Sequence, residues 1–310
     1  MNMQQLLVKP TFGGHEKFPF RYGWLKKGVD AAIEKDTIFS QDEALVKLGV
    51  GKNMVRSIRH WCLATNLLEE SPGKGRVKPL VPTPLAKHFV LEKGWDPYLE
   101  DIGSYWLIHW ELVSNQTRSL IWHILFAQYY SSEFTKQQFI AFCTRYLEGA
   151  GVKTTAKMIE REVDCCLRTY VTATRPSKSV FSEDSLDCPL AELELLRFAS
   201  GDNVYSFNIG PKLTLPVQVF GYALLMFLRP FASTRRAIAI DDCLYHPASP
   251  GQVFKLDENS LVTYLEELEG LTQGRLRLQE SAGLRQIYLD EGLIENASED
   301  GYTLLNSYYE

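Results

Sequence analysis

Lys52, Asn53, Arg56 and Arg59 recur at the spacing that gathers side chains on one side of a helix, while Val55, Ile58 and Cys62 fall on another. A cationic helix side of that kind pairs with phosphate oxygens. A second group, Lys74, Arg76 and Lys78, alternates with turn formers in Ser71-Pro72-Gly73-Lys74-Gly75-Arg76-Val77-Lys78, as a β-hairpin lying along a phosphate backbone would. A third is Gly13-Gly14-His15-Glu16 with Arg21, Lys26 and Lys27 close behind. Here an imidazole and a carboxylate can pair to fix the loop or act on a substrate, beside cations suited to phosphates. Asp241 and Asp242, with His246 following, offer the oxygen and imidazole groups that Mg²⁺ or Mn²⁺ uses in phosphodiester hydrolysis. His15, Glu16, Asp241 and Asp242 are therefore the candidate catalytic residues, although no spacing fixes a metal-ligand set. His109 and Glu111, flanked by Trp106 and Trp110, read as packing residues of an aromatic-rich helix. Walker-type phosphate loops, G-x-G-x-x-G, H-E-x-x-H and G-x-S-x-G are all absent from the sequence, which favours binding over the enzyme classes those signatures mark.

The elements that must position these groups are mostly helices. Ser40 with Glu43 three residues on reads as a capping box, Ala44, Leu45 and Leu48 form an apolar stripe, and Gly49 stops the helix. Residues 50–53 turn into a second helix, and a first one over 24–33 completes the module. Residues 1–95 thus read as an N-terminal strap plus a winged-helix DNA-binding domain. Segments 107–113, 117–130, 136–147 and 155–170 have helical spacing and give a helical domain over 96–175. The polar stretch 174–185 separates it from a C-terminal α-rich domain over 186–310. There 190–196 and 216–228 read as helices and 204–209 as a strand, while 261–268, 284–289 and 302–305 suggest helices with short strands between them. The fold class is mainly α: an N-terminal winged helix-turn-helix, then α-rich domains with a few short strands.

Charge is divided unevenly along the chain. Residues 1–90 hold 14 Lys and Arg against 8 Asp and Glu, net +6, which leaves 19 against 30, net −11, for the remainder. A basic front end suits a polyanion. The six cysteines form no C-x-x-C pair, and adjacent Cys165 and Cys166 sit in a helical pattern as small hydrophobes, so a reducing, cytoplasmic setting fits. Residues 1–5 lack the pattern of a secretory signal. The apolar run 217–228 is broken by Gln218 and Gly221 and is too short for a bilayer, which makes no membrane association expected and a buried helix the better reading.

The string Phe12-Gly13-Gly14-His15-Glu16-Lys17-Phe18-Pro19-Phe20-Arg21-Tyr22-Gly23-Trp24-Leu25-Lys26-Lys27, the helix-turn-helix pattern after it, and Ser249-Pro250-Gly251-Gln252-Val253-Phe254-Lys255-Leu256 together carry a resemblance. They resemble the SspB-like family, a bacterial domain of unknown function that accompanies DNA phosphorothioation genes. The motifs lie near both ends, so the resemblance spans nearly the whole chain. It implies a DNA-binding role in a phosphorothioate modification and phage-defence system, where sulfur replaces a non-bridging phosphate oxygen. It also implies DNA nicking, with Mg²⁺ or Mn²⁺ the expected cofactor, and partners comprising a cysteine desulfurase, an ATPase and an ATP-dependent sulfur-transfer enzyme. No nuclease motif transfers residue by residue. The alternative is a non-catalytic winged-helix transcription regulator, its helical body serving a homodimer or effector sensing.

Overall fold

The computed structural model describes residues 9–72, 77–91, 93–171, 188–199, 201, 203–230, 237–281 and 284–310. The hairpin residues Lys74 and Arg76, the terminus 1–5 and the polar stretch 174–185 lie outside them. The described chain is mostly helical and divides into two compact units, one of residues 1–125 with 131–207, the other of 126–130 with 208–310.

In the first unit α1 (Trp24–Glu34), α2 (Glu43–Leu48) and α3 (Lys52–Ala64) precede an antiparallel hairpin of β1 (Leu68–Glu70) and β2 (Leu80–Pro82). Hydrophobic burial assembles them: Trp24, Leu25 and Val29 of α1 and Val55, Ile58, Trp61 and Cys62 of α3 are all nearly inaccessible. The capping box expected at Ser40 is not formed. Ser40 closes a 3₁₀ turn, Ile38–Ser40, and its hydroxyl donates to the Thr37 carbonyl, so α2 starts after Asp42. A local side-chain to backbone bond has outcompeted the helix cap.

Helix α4 (Pro84–Phe89) begins at Thr83, whose hydroxyl oxygen accepts from the Ala86 N–H at 3.2 Å, with Pro84 in the first helical position. Helix α5 (Ile102–Ser114) is buried on every side from Gly103 to Val113, which its unbroken run of apolar and aromatic residues permits. There the His109 Nδ1 lies 2.7 Å from the Tyr170 hydroxyl and Glu111 accepts from Asn66 at 2.7 Å, both as satisfied interior groups. After α6 (Leu120–His123) and one π-helical turn, Ile124–Gln128, come β3 (Glu133–Phe134), α7 (Lys136–Gly149) and α8 (Ala156–Tyr170). Thr135 and Gln138 close a capping box at α7. Residues 190–196, expected as a helix, instead supply the end of a 3₁₀ turn, Pro189–Leu193, and the start of β4 (Leu196–Ala199). Pairing of β4 with β5 (Val204–Phe207), itself paired with β3, overrides the weak helical pattern, and Phe134, Phe198 and Tyr205 stack along that sheet.

The second unit is built around α9 (Val217–Leu228), the apolar run that the sequence places inside the protein. Around it are β6 (Ala237–Ala239), α10 (Ile240–Tyr245), α11 (Pro250–Phe254), α12 (Glu258–Leu271), β7 (Leu276–Ser281), β8 (Leu284–Leu289), α13 (Glu291–Glu295) and α14 (Ala297–Tyr309). The three strands form an antiparallel sheet in the order β6-β8-β7. The motif 249–256 is structural in detail. Ser249 caps α11, a Cβ at Gly251 would meet the Leu244 backbone at 2.6 Å, and Lys255 ends the helix in the left-handed conformation. The buried Lys255 ammonium donates to the Phe126 carbonyl at 3.0 Å, and burial pushes its pKa down to about 7. Among the described residues no helix is long and apolar enough to cross a membrane.

Candidate functional site

Helix α3 presents Lys52, Asn53 and Arg56 to solvent, opposite its buried Val55 and Ile58. The face is cationic but partly neutralised. Arg56 pairs with Glu16 at 3.2 Å, and Arg59 reaches Glu70 at 2.9 Å. Lys78, on the hairpin, also binds Glu70, at 3.2 Å. A third cation, Arg118 from the connection between α5 and α6, meets the same carboxylate at 2.8 Å. Burial favours the protonated acid, but Lys78, Arg118 and Arg59 together hold the Glu70 carboxyl below the usual carboxylate range. Of the other expected phosphate ligands, Lys26 is tied to Asp30 at 2.6 Å, Lys27 is exposed, and Arg21 lies over the rings of Phe18 and Trp24, 5.6 and 5.3 Å from their centres. Lys74 and Arg76 are not among the described residues.

The Gly13-Gly14-His15-Glu16 loop is anchored rather than open. His15 is fully buried, its carbonyl accepts from the Ser57 hydroxyl at 3.0 Å, and its Nδ1 accepts from the Lys17 N–H at 3.0 Å. Its Nε2 lies 3.1 Å from the Glu162 carboxylate of α8, which also accepts from the Gly13 N–H. The expected pairing of His15 with Glu16 is thus replaced by His15 with Glu162 and Glu16 with Arg56. Burial opposes charge on the imidazole, but Cys165 and Glu162 beside it push its pKa up to about 10. In the neutral ring, the Lys17 N–H donated to Nδ1 places the imidazole proton on Nε2, on the side of Glu162. Gly14 passes directly over His60: a Cβ there would stand 2.5 Å from its Nδ1. His60, sealed from water, is held neutral by burial first and then by the charges of His15, Arg118 and Arg59.

Asp241 and Asp242 occupy the first turn of α10, directly after β6, in the second unit. Asp241 lines a surface cleft with Glu258, Glu280 and Arg285, where Arg285 bonds both glutamates. Among the described residues no three His, Cys, Asp or Glu side chains gather as a metal ion would require.

Sequence reasoning missed Glu70, Arg118 and Glu162. For Glu162 a signal existed, because it sits at helical spacing with the buried Ile159, Val163 and Cys166, where a carboxylate needs a partner. Glu70 ends a strand that leads into a basic hairpin, which marks it as a counter-charge. Nothing local marks Arg118.

No curated protein matches the chain. Two solved structures of SspB do. One, a magnesium ion-bound form, superposes with a TM-score of 0.85 at 30% identity, over 96% of this chain and 88% of that one. The other gives 0.84 at 32% identity over the same shares. Residues 12–309 match the DUF4007 family, described as a protein of unknown function, and that match takes in both the anchored loop and the segment 249–256. The chain belongs to this DUF4007, SspB-like family.

Proposed function

We propose that the chain is the DNA-binding component of a bacterial DNA phosphorothioate modification and phage-defence system. In this reading α1 to α3 and the β1–β2 hairpin work as a winged helix, with α3 as the recognition helix. The observation that carries it is the exposed row of Lys52, Asn53 and Arg56 on α3, beside a hairpin carrying Lys78, in a chain that is SspB-like throughout. Phosphate contacts by Lys and Arg give affinity and register, and Asn53 has the amide that reads base edges. Its partners are the cysteine desulfurase, ATPase and ATP-dependent sulfur-transfer enzyme of such systems. Strand nicking with Mg²⁺ or Mn²⁺ belongs to the proposal as an activity to be measured, with no chemical step assigned to a residue.

Fluorescence anisotropy on labelled duplex DNA tests the interface. The Lys52→Ala/Arg56→Ala protein is expected to bind more weakly and to lose about 1.8 from the magnitude of its log–log salt slope, about 0.9 for each phosphate contact removed. A folded double variant with wild-type affinity and slope overturns the assignment of α3.

A further inference from the structure

Three cations from separate parts of the fold converge on one carboxylate. Arg59 comes from α3, Lys78 from the hairpin and Arg118 from the α5–α6 connection, and all three lie within 3.2 Å of Glu70. A structural ion pair needs one partner for one carboxylate. Here two positive charges remain uncompensated by Glu70, with the Arg59 and Arg118 side chains only 33% and 21% exposed. Holding surplus like charge together in a partly desolvated place is unfavourable unless an anion completes it. Beside them is an open cleft of about 370 Å³, lined by Arg59, Glu70, Lys78, Thr37, Ser40 and Asp36. Its second carboxylate, Asp36, is exposed. A phosphodiester resembles a carboxylate in the respect that matters: one negative charge shared by two oxygens, which guanidinium groups grip as a fork.

We propose that Arg59 and Lys78, which line this cleft, and Arg118, which reaches the same carboxylate, form a phosphate-binding site in which Glu70 stands in for a DNA phosphodiester and gives way to it when a duplex docks. The proposal rests on the reading of this chain as a DNA-binding protein. Glu70 holds the two arginines and the lysine in place while no duplex is bound, and it raises the threshold for any anion too weakly bound to displace it. Arg118 extends the contact surface beyond α3 and the hairpin.

Glu70→Gln keeps the shape and removes the charge. In anisotropy titrations it is expected to bind duplex DNA about fivefold more tightly, the worth of one partly exposed ion pair, and with a salt slope steeper by about 1. Arg118→Gln added to that variant should cancel the gain, and Arg118→Gln alone should weaken binding of the otherwise native protein. Thermal unfolding establishes that each protein is folded. If wild type binds duplex while folded Glu70→Gln binds no more tightly and with the same slope, Glu70 is a structural clasp and the proposal is overturned. If Glu70→Gln does not fold, undiminished binding by Arg118→Gln overturns it equally. If no protein, wild type included, binds duplex at low salt, the DNA-binding reading itself falls and takes the cleft with it.

Discussion

Lys255 shows what a single buried ionisable group does to the stability of this protein. Its ammonium is sealed from water against the Phe126 carbonyl, and its pKa falls from an ordinary lysine value to about 7. In the unfolded chain the amine keeps its proton up to about pH 10.4, so between the two values the unfolded state binds one more proton than the folded state. Folding stability therefore rises with pH across that window and is lowest below pH 7, where the native state must bury the charge. Lys255→Met removes this dependence. Its stability relative to wild type is expected to be most favourable near pH 6 and to decline by about 1.4 kcal/mol per pH unit between about pH 7 and 10. Urea unfolding of both proteins at several pH values measures the difference, and a gap independent of pH refutes the assignment. The loop residue His15 makes a related point about what a sequence reveals. Its burial is not apparent from Gly13-Gly14-His15-Glu16, because the groups that bury it, Ser57, His60 and Glu162, are 42 to 147 positions away. The composition marked the segment as unusual; only the packing assigned its imidazole to Glu162.

Helices were the most legible elements, because their signal is local. The spacing of Val55, Ile58 and Cys62 predicts the buried side of α3, and the apolar run 217–228 predicts α9, since each periodicity coincides with a face that meets the core. The strand β4 was not legible: residues 190–196 carry leucines at a spacing that suits either element, and pairing with β5 decides the matter. How closely two helices approach was also hidden in a residue that the pattern treats as neutral. Gly28 sits where α1 crosses α3, and a Cβ there would stand 2.4 Å from the Cys62 sulfur and 2.9 Å from Ile58. Gly28→Ala must push the helices apart, at a cost of about 1–3 kcal/mol typical of an overpacked core. The same displacement shifts Lys52 and Arg56 relative to the hairpin, so duplex affinity is expected to fall even below the melting transition. Calorimetry and anisotropy on one preparation check both effects, and an alanine variant with wild-type stability would show that the crossing has slack.

At the scale of the whole chain, residues 1–90 carry a net charge of +6 and the rest −11, an asymmetry that suits the polyanion binding proposed for the front end. The proposed binding and cleavage are then distinguishable, because only cleavage is expected to need a metal. The proposed binding draws on Lys52, Arg56 and the Glu70 cleft, none of which needs a metal, so duplex affinity should persist in the presence of a chelator. Nicking of the expected kind needs Mg²⁺ or Mn²⁺, and supercoiled plasmid should convert to open circle with either ion and stay supercoiled with chelator. Asp241→Asn/Asp242→Asn and Glu16→Gln, assayed beside wild type, separate the two candidate locations, since the first pair lies in one unit and Glu16 in the other. Glu16→Gln also releases Arg56 from its ion pair, so a change in its duplex affinity must be subtracted before its nicking rate is compared. Retention of full nicking by all these variants removes both sets of carboxylates from the catalytic candidates. Persistent duplex binding with no nicking under either ion, alone or with the partner proteins, leaves the chain as a non-catalytic winged-helix regulator, with its cationic face still accounted for.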